Sequence, residues 1–259
     1  MLTRALALNG ARRIYIVGRR PAILTQAAAS IDPSIVIPVP GDVTSRSSLL
    51  DIAARVEKEV GFVNLVIANA GTMGPRPLPT STTTVATYRA HALSTPIEDF
   101  THIYATNTSS VYYTALAFLD LLHKGNEHSA GVQSQVLATS SIGGFSRLSG
   151  ASFAYSSSKA AVTHMCKMMS TSWGVYGVRC NVLGMGLVET ELARGVIGGL
   201  GGGEDGRGIS REVIPAQRTG NEEDVAGAVL YVAGRAGAYL NGCVVMVDGG
   251  RLGVLPSTY

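Results

Sequence analysis

Short runs of Val, Ile and Leu alternate with helix-forming stretches along this chain, and that alternation constrains its fold more than any single motif. The apolar runs are Ile14–Val17, Ile35–Val39, Leu65–Ala68, Val136–Ala138, Val178–Leu183 and Cys243–Val247. Each is too short for a helix and reads as a buried strand. Between them fall a helix opened by Pro21 and one over about Ser47–Val60. Others run around Thr108–Leu122 and from Tyr155 to about Trp173, and a last one is capped by Asn221-Glu222-Glu223-Asp224. Strands that alternate with helices build a parallel, doubly wound sheet, so the predicted class is α/β. One domain over residues 1–259 is the economical division, because no linker or internal repeat interrupts the pattern.

Composition excludes several partners. With 46% hydrophobic and 15% charged residues the chain can bury a large core. Its net charge of +3 is spread without Lys/Arg blocks, which argues against a nucleic-acid footprint. No apolar run approaches the ~18 residues of a membrane span, and no signal-peptide pattern opens the chain. A soluble, cytoplasmic protein is expected. Cys166, Cys180 and Cys243 are odd in number and sit in apolar contexts, so buried free thiols are expected rather than a metal site or disulfide.

Tyr155 and Lys159 carry the chemistry. Four residues apart, they stack on one face of a helix, where an ammonium can bias a phenol toward ionisation. The bland reading is a helix-surface contact. Ser141 lies 14 residues upstream, after Val136-Leu137-Ala138 and before Gly143-Gly144. That reads as the C-terminal end of a strand, where open α/β sheets place ligands.

Asn69-Ala70-Gly71, Asn107, Ser141, Tyr155/Lys159 and Val247-Asp248-Gly249-Gly250 stand in an order that resembles the short-chain dehydrogenase/reductase family over nearly the whole chain. The resemblance implies a Rossmann-like sheet, a nicotinamide cofactor and a small-molecule substrate, with ketone and secondary alcohol interconverted. By the same resemblance Tyr155 is the general acid/base and Ser141 orients the substrate oxygen. Lys159 lowers the Tyr155 pKa and holds ribose hydroxyls, and Asn107 anchors a water linking Lys159 to solvent. Taken alone, Ser141 reads equally well as a turn cap and Asn107 as a helix-terminus residue. Cofactor contacts fall on Arg19, Asp42, Val43, Asn69, Ala70, Gly71, Tyr155, Lys159, Val188 and Thr190. Arg19, placed after the second strand of the resembled topology, points to the extra phosphate of NADP rather than to NAD, the alternative being a solvated turn residue. Asp42 has a turn reading of its own. A homodimer or homotetramer, formed through the helices near Thr108–Leu122 and Tyr155–Trp173, is also implied.

Departures from the family are specific. Met185-Gly186 stands in place of Pro-Gly, and Ala68 in place of a first Asn. The glycine-rich segment Gly195–Gly208 falls where the family carries a substrate lid, though an unordered insertion fits as well. Within it, Gly201-Gly202-Gly203-Glu204-Asp205-Gly206 lacks a preceding strand and reads as loop, not phosphate site. Gly71 to Asn107 is longer than usual and is expected to be a surface insertion. Above all, the first strand and its Thr-Gly-x-x-x-Gly-x-Gly turn have no counterpart: Met1–Gly10 resembles the end of the following helix, as if about twenty residues were absent. That strand would be central, so Ile14–Val17 and Leu65–Ala68 are expected to carry unpaired backbone groups. Three explanations stand open: a longer chain, another segment in the slot, or abandoned cofactor binding. The last makes the protein a complete, cofactor-free binding or scaffold protein.

Overall fold

The structure is a computed structural model that describes residues 1–129, 131–148, 152–190, 193, 197–199, 203 and 206–258. Six strands form, all paired in parallel: β1 (Ile14–Gly18), β2 (Val36–Pro40), β3 (Leu65–Ala68), β4 (Gln135–Ser141), β5 (Arg179–Met185) and β6 (Val244–Val247). They make two sheets, β1-β2 and β3-β4-β5-β6. The six apolar runs of the sequence are these strands, with ends shifted by three residues at most.

Among the described residues no strand lies between β1 and β3. Both border a cavity of about 2030 Å³ that also reaches the C-terminal ends of β4 and β5. Backbone alternation shows which groups face it. Ile14 N–H donates to Ile35 O at 2.7 Å and Gly41 N–H to Gly18 O at 2.9 Å, so Ile14, Ile16 and Gly18 point to β2. Tyr15 and Val17 therefore aim their amides into the slot. By the same logic Gln135 N–H, donating to Asn64 O at 2.9 Å, sets Val66 and Ala68 toward β4. Leu65 and Ile67 face the slot from the other side.

Helices hold the two sheets together. α3 (Arg46–Glu59) begins at Ser45, whose hydroxyl caps Ser48 N–H, and buries Leu49, Ile52, Ala53 and Val56. The last three join one core with Val39 of β2, Val66 of β3 and Ala115 of the helix before β4. Each fully buried Val or Ile contributes roughly 1.5–3 kcal/mol, which offsets the missing ladder. On the opposite face α1 (Leu2–Leu8) packs Ala5 against Leu137, Leu183, Val229 and Val232. The last two belong to the C-terminal helix Glu222–Ala233, which opens with a full capping box between Asn221 and Asp224.

One expectation gains detail and another needs correction. The surface insertion from Gly71 to Asn107 contains α4 (Val85–Leu93) and α5 (Ile97–Tyr104), after α2 (Pro21–Ala29) and α3 in chain order. Thr84 caps α4 through Thr87 N–H at 3.2 Å, and α5 starts behind Pro96 and buries Ile103. The expected helix over Thr108–Leu122 is three pieces. A π-helical turn at Ala105–Ser109 precedes α6 (Ser110–Ala117), and Phe118 separates α6 from α7 (Leu119–Gly125). π turns cost backbone regularity and concentrate at functional sites, and this one carries Asn107. The long helix Phe153–Ser172, α8, and the C-terminal helix, α9, complete the α-helices among the described residues. Most of Gly195–Gly208 lies outside the described residues.

Candidate active site

The site forms where the C-terminal end of β4 meets the first turns of α8. Ser141 ends β4 in extended conformation, and its hydroxyl accepts Gly143 N–H at 3.0 Å, capping a short 3-10 turn, Ile142–Gly144. That turn lies directly on α8. A Cβ at Gly144 would stand 2.8 Å from Ala160 N and from Lys159 C, so only glycine fits. α8 opens with Ser152, whose hydroxyl accepts Tyr155 N–H at 3.0 Å. Cap and contact together bring Tyr155 beside Ser141: a Cβ at Gly143 would lie 3.4 Å from both Ser141 Oγ and the Tyr155 ring.

Lys159, one turn along, is 4% exposed. Its ammonium donates to Thr139 O at 2.7 Å and stands 5.9 Å from the Tyr155 ring centroid. Thr139 and Ser141 share a face of β4 by strand alternation, so one strand sets both partners of α8. Burial pushes the Lys159 pKa down to about 8. The expected depression of Tyr155 by Lys159 is not what this state holds. Burial raises the Tyr155 pKa above the ordinary phenol value, and the Ser141 hydrogen bond offsets this only in part.

Asn107 is fully buried. Its Oδ1 accepts Thr72 N–H at 2.8 Å, and its Nδ2 donates to Thr72 O at 2.9 Å and to Ser158 Oγ at 3.0 Å. Both amide protons are thus committed, and the side chain clasps the start of the insertion to α8. Gly71 passes close by. A Cβ there would lie 3.5 Å from Asn107 Oδ1 and 3.6 Å from Lys159 Nζ.

The remaining predicted cofactor residues divide into two groups. Val43, Asn69, Ala70, Gly71, Val188 and Thr190 border the same cavity as Ser141, Tyr155 and Lys159. Asn69 Oδ1 accepts the Thr139 hydroxyl at 2.9 Å, and Val188 is fixed beside Gly220 by a parallel bridge. Arg19 is exposed and not part of that wall. Asp42 accepts both Thr44 N–H and Thr44 Oγ–H, at 2.9 and 2.7 Å. Those bonds, with Arg19 nearby, hold its carboxyl below the ordinary value. Its turn role is therefore real, whatever else it touches.

These residues fit one half of a dinucleotide. Backbone closeness at Gly71, the Lys159 ammonium and the open wall at Val188 and Thr190 suit a ribose and a nicotinamide ring. For the pyrophosphate no glycine turn exists among the described residues; α1 starts at Leu2 with no side-chain cap.

A family model described as enoyl-(acyl carrier protein) reductase matches residues 2–251. The short-chain dehydrogenase/reductase PhomF' of Diaporthe leptostromiformis is 41% identical over 262 residues, spanning all of this chain and 89% of that protein. The short-chain dehydrogenase/reductase SAT3 of Stachybotrys chartarum is 39% identical, with both chains covered completely. The chain belongs to the short-chain dehydrogenase/reductase family. Among solved structures, the Pseudomonas aeruginosa RhlG/NADP active-site complex superposes with a TM-score of 0.81, covering 97% of this chain and 90% of that one at 22% identity.

As a short-chain dehydrogenase/reductase, the chain has an oxidoreductase fold in which several positioning residues were not singled out in the sequence. Thr139 was within reach, being two residues before Ser141 on the same strand face. Thr72 and Ser158 carry no such signal, because the Asn107 clasp depends on a π turn that periodicity does not show. Among the described residues no group of His, Cys, Asp or Glu could hold a metal, and no helix is long and apolar enough to cross a membrane. Cys166 and Cys180 are buried free thiols pushed up to about 12 by burial; Cys243 is half-buried.

Proposed function

We propose that this chain is an NADP(H)-dependent oxidoreductase that interconverts a ketone and a secondary alcohol on a small organic substrate. The observation that carries the reading is the clustering of Ser141 and Tyr155 beside a buried Lys159, whose ammonium stands 5.9 Å from the Tyr155 ring centroid. When bound, the nicotinamide supplies or receives the hydride. Tyr155, kept protonated by burial, is suited to donate its proton to the carbonyl oxygen, and positioned proton transfer of this kind contributes ~10²–10⁴-fold. Ser141 holds the same oxygen. Lys159 favours the phenolate left behind and meets the ribose hydroxyls near Gly71. Val188 and Thr190 face the carboxamide, Val43 and Asn69-Ala70-Gly71 the adenosine side, and Arg19 the extra phosphate of NADP.

The test is titration with NADPH and with NADH, followed by reduction of a carbonyl panel. Preference for NADPH, with turnover, supports the reading; no binding of either dinucleotide at millimolar concentration ends it. The alternative, a cofactor-free binding or scaffold protein, requires that outcome. Assembly into a homodimer or homotetramer belongs to both readings. It is supported by the exposed Tyr112, Tyr113 and Leu116 of α6 and Met168 of α8, and light scattering checks it.

A further inference from the structure

Arg251 follows the C-terminal end of β6, on the edge of the sheet where β4 delivers Ser141. The segment after it is tied to the loop behind Ser141. Arg147 N–H donates to Pro256 O at 2.8 Å, Thr258 N–H to Phe145 O at 2.8 Å, and Ser146 bridges Ser257. Arg251 and Leu255 thereby join the wall of the cavity that holds Tyr155.

The guanidinium there lacks a counter-charge. One Nη donates to Val213 O at 2.6 Å, a neutral acceptor. Asp248 is the acid whose field reaches it, but that carboxylate already accepts Gly250 N–H and Leu252 N–H at 2.9 and 2.7 Å. No carboxylate lies within 4.0 Å of Arg251 among the described residues. Glu189, an acid on the same wall, accepts the Thr219 hydroxyl at 2.8 Å instead. A half-buried cation facing a cavity without its anion is costly unless a ligand supplies one, and the planar guanidinium matches a carboxylate best.

The anion belongs to the substrate rather than to the cofactor. β6 is the outer strand of the four-stranded sheet, whereas Arg19, the residue proposed for the cofactor phosphate, follows β1 across the slot. Resting on the function proposed above, we infer that Arg251 recognises a carboxylate on the carbonyl substrate, so that the substrate class is an oxo acid and its hydroxy acid counterpart.

Calorimetric binding of a ladder of short-chain oxo acids, each paired with its methyl ester, tests this without requiring turnover. At least one acid is expected to bind wild type about tenfold or more tighter than its ester, the range of a charge-assisted hydrogen bond. Arg251→Gln should reduce that ratio to near one, and Arg251→Lys, which keeps the cation, should retain part of it. Binding is measured with and without saturating NADPH; a preference that NADPH abolishes would place the anion site on the cofactor and overturn the inference. Equal affinity for acid and ester in wild type, or no measurable acid binding, overturns it too, as does a ratio that survives Arg251→Gln. If acids bind with the expected preference but no carbonyl is reduced, the substrate-class inference stands and the redox reading is the one that fails.

Discussion

The edge that carries Ser141 lies at the C-terminal end of one sheet and the slot lies between two, and they are opposite in completeness. At the edge, Ser141, Tyr155, Lys159 and Asn107 are held by β4, α8 and the π turn, and nearly every polar atom has a partner. In the slot, Tyr15 and Val17 face Leu65 and Ile67 across open space, with backbone amides unpaired on both sides. The difference teaches that β4 and α8 set the places of Ser141, Tyr155 and Lys159 without a contact from the slot.

The largest expected contrast is in amide exchange. Leu137 and Val182 lie in fully buried β4 and β5 and should exchange only through global unfolding, which for a domain costs several kcal/mol or more. Tyr15, Val17, Leu65 and Ile67 should exchange orders of magnitude faster. Uniform protection across all six strands would erase the distinction between the regions and show the slot to be filled in solution.

Next in size is Tyr155→Phe. It deletes one hydroxyl and keeps the ring, so turnover should fall ~10²-fold or more while NADPH affinity and unfolding midpoint stay near wild type. A variant that still reduces its substrate at near-normal rate removes Tyr155 from the chemistry.

Lys159 gives a pH signature of about 3 kcal/mol, from a folded pKa of about 8 against 10.5 unfolded. Below pH 8 both states hold the proton, and the buried ammonium costs stability. Between 8 and 10.5 the folded state sheds its proton first, so the unfolded state binds more protons and stability rises with pH. Cys166 and Cys180 act oppositely: their unfolded thiols ionise near 9 and their folded ones at about 12, so their contribution is lost as pH climbs. The difference between wild type and Lys159→Met cancels the cysteines. Urea unfolding should show it shifting in favour of wild type by about 3 kcal/mol over that window, and a flat difference would mean that Lys159 is hydrated.

Legibility in the sequence followed the same divide. β3 was readable to the residue, and Ser141, Tyr155 and Lys159 could be placed, because buried parallel strands and i, i+4 pairs leave periodic traces. The open slot was expected only through the family resemblance, which implies a central strand before the helix that Met1–Gly10 resembles. Helix α4 has no trace in the sequence because it buries no residue and so shows no apolar stripe, and α5 is only eight residues long. The Tyr155 pKa was misjudged for a different reason. Spacing places the Lys159 charge near the phenol but says nothing of burial, which dominates.

The smallest expected effect sharpens the comparison most. Gly227 lies exposed in mid-α9, and a Cβ there meets nothing within 4 Å. Gly227→Ala should therefore stabilise the fold by up to about 1 kcal/mol through helix propensity and a less flexible unfolded chain. α9 packs on β5 and β6 through Val229 and Val232. Amides that exchange by global unfolding, such as Leu137 and Val182, should slow by the full increment, about fivefold for 1 kcal/mol. Tyr15 and Val17, if they open locally at the slot, should not change at all. Equal slowing in β1 and β4 would mean that the two sheets unfold as one cooperative unit, and that the helices packed on both faces, α3 and α1, weld them across the open slot.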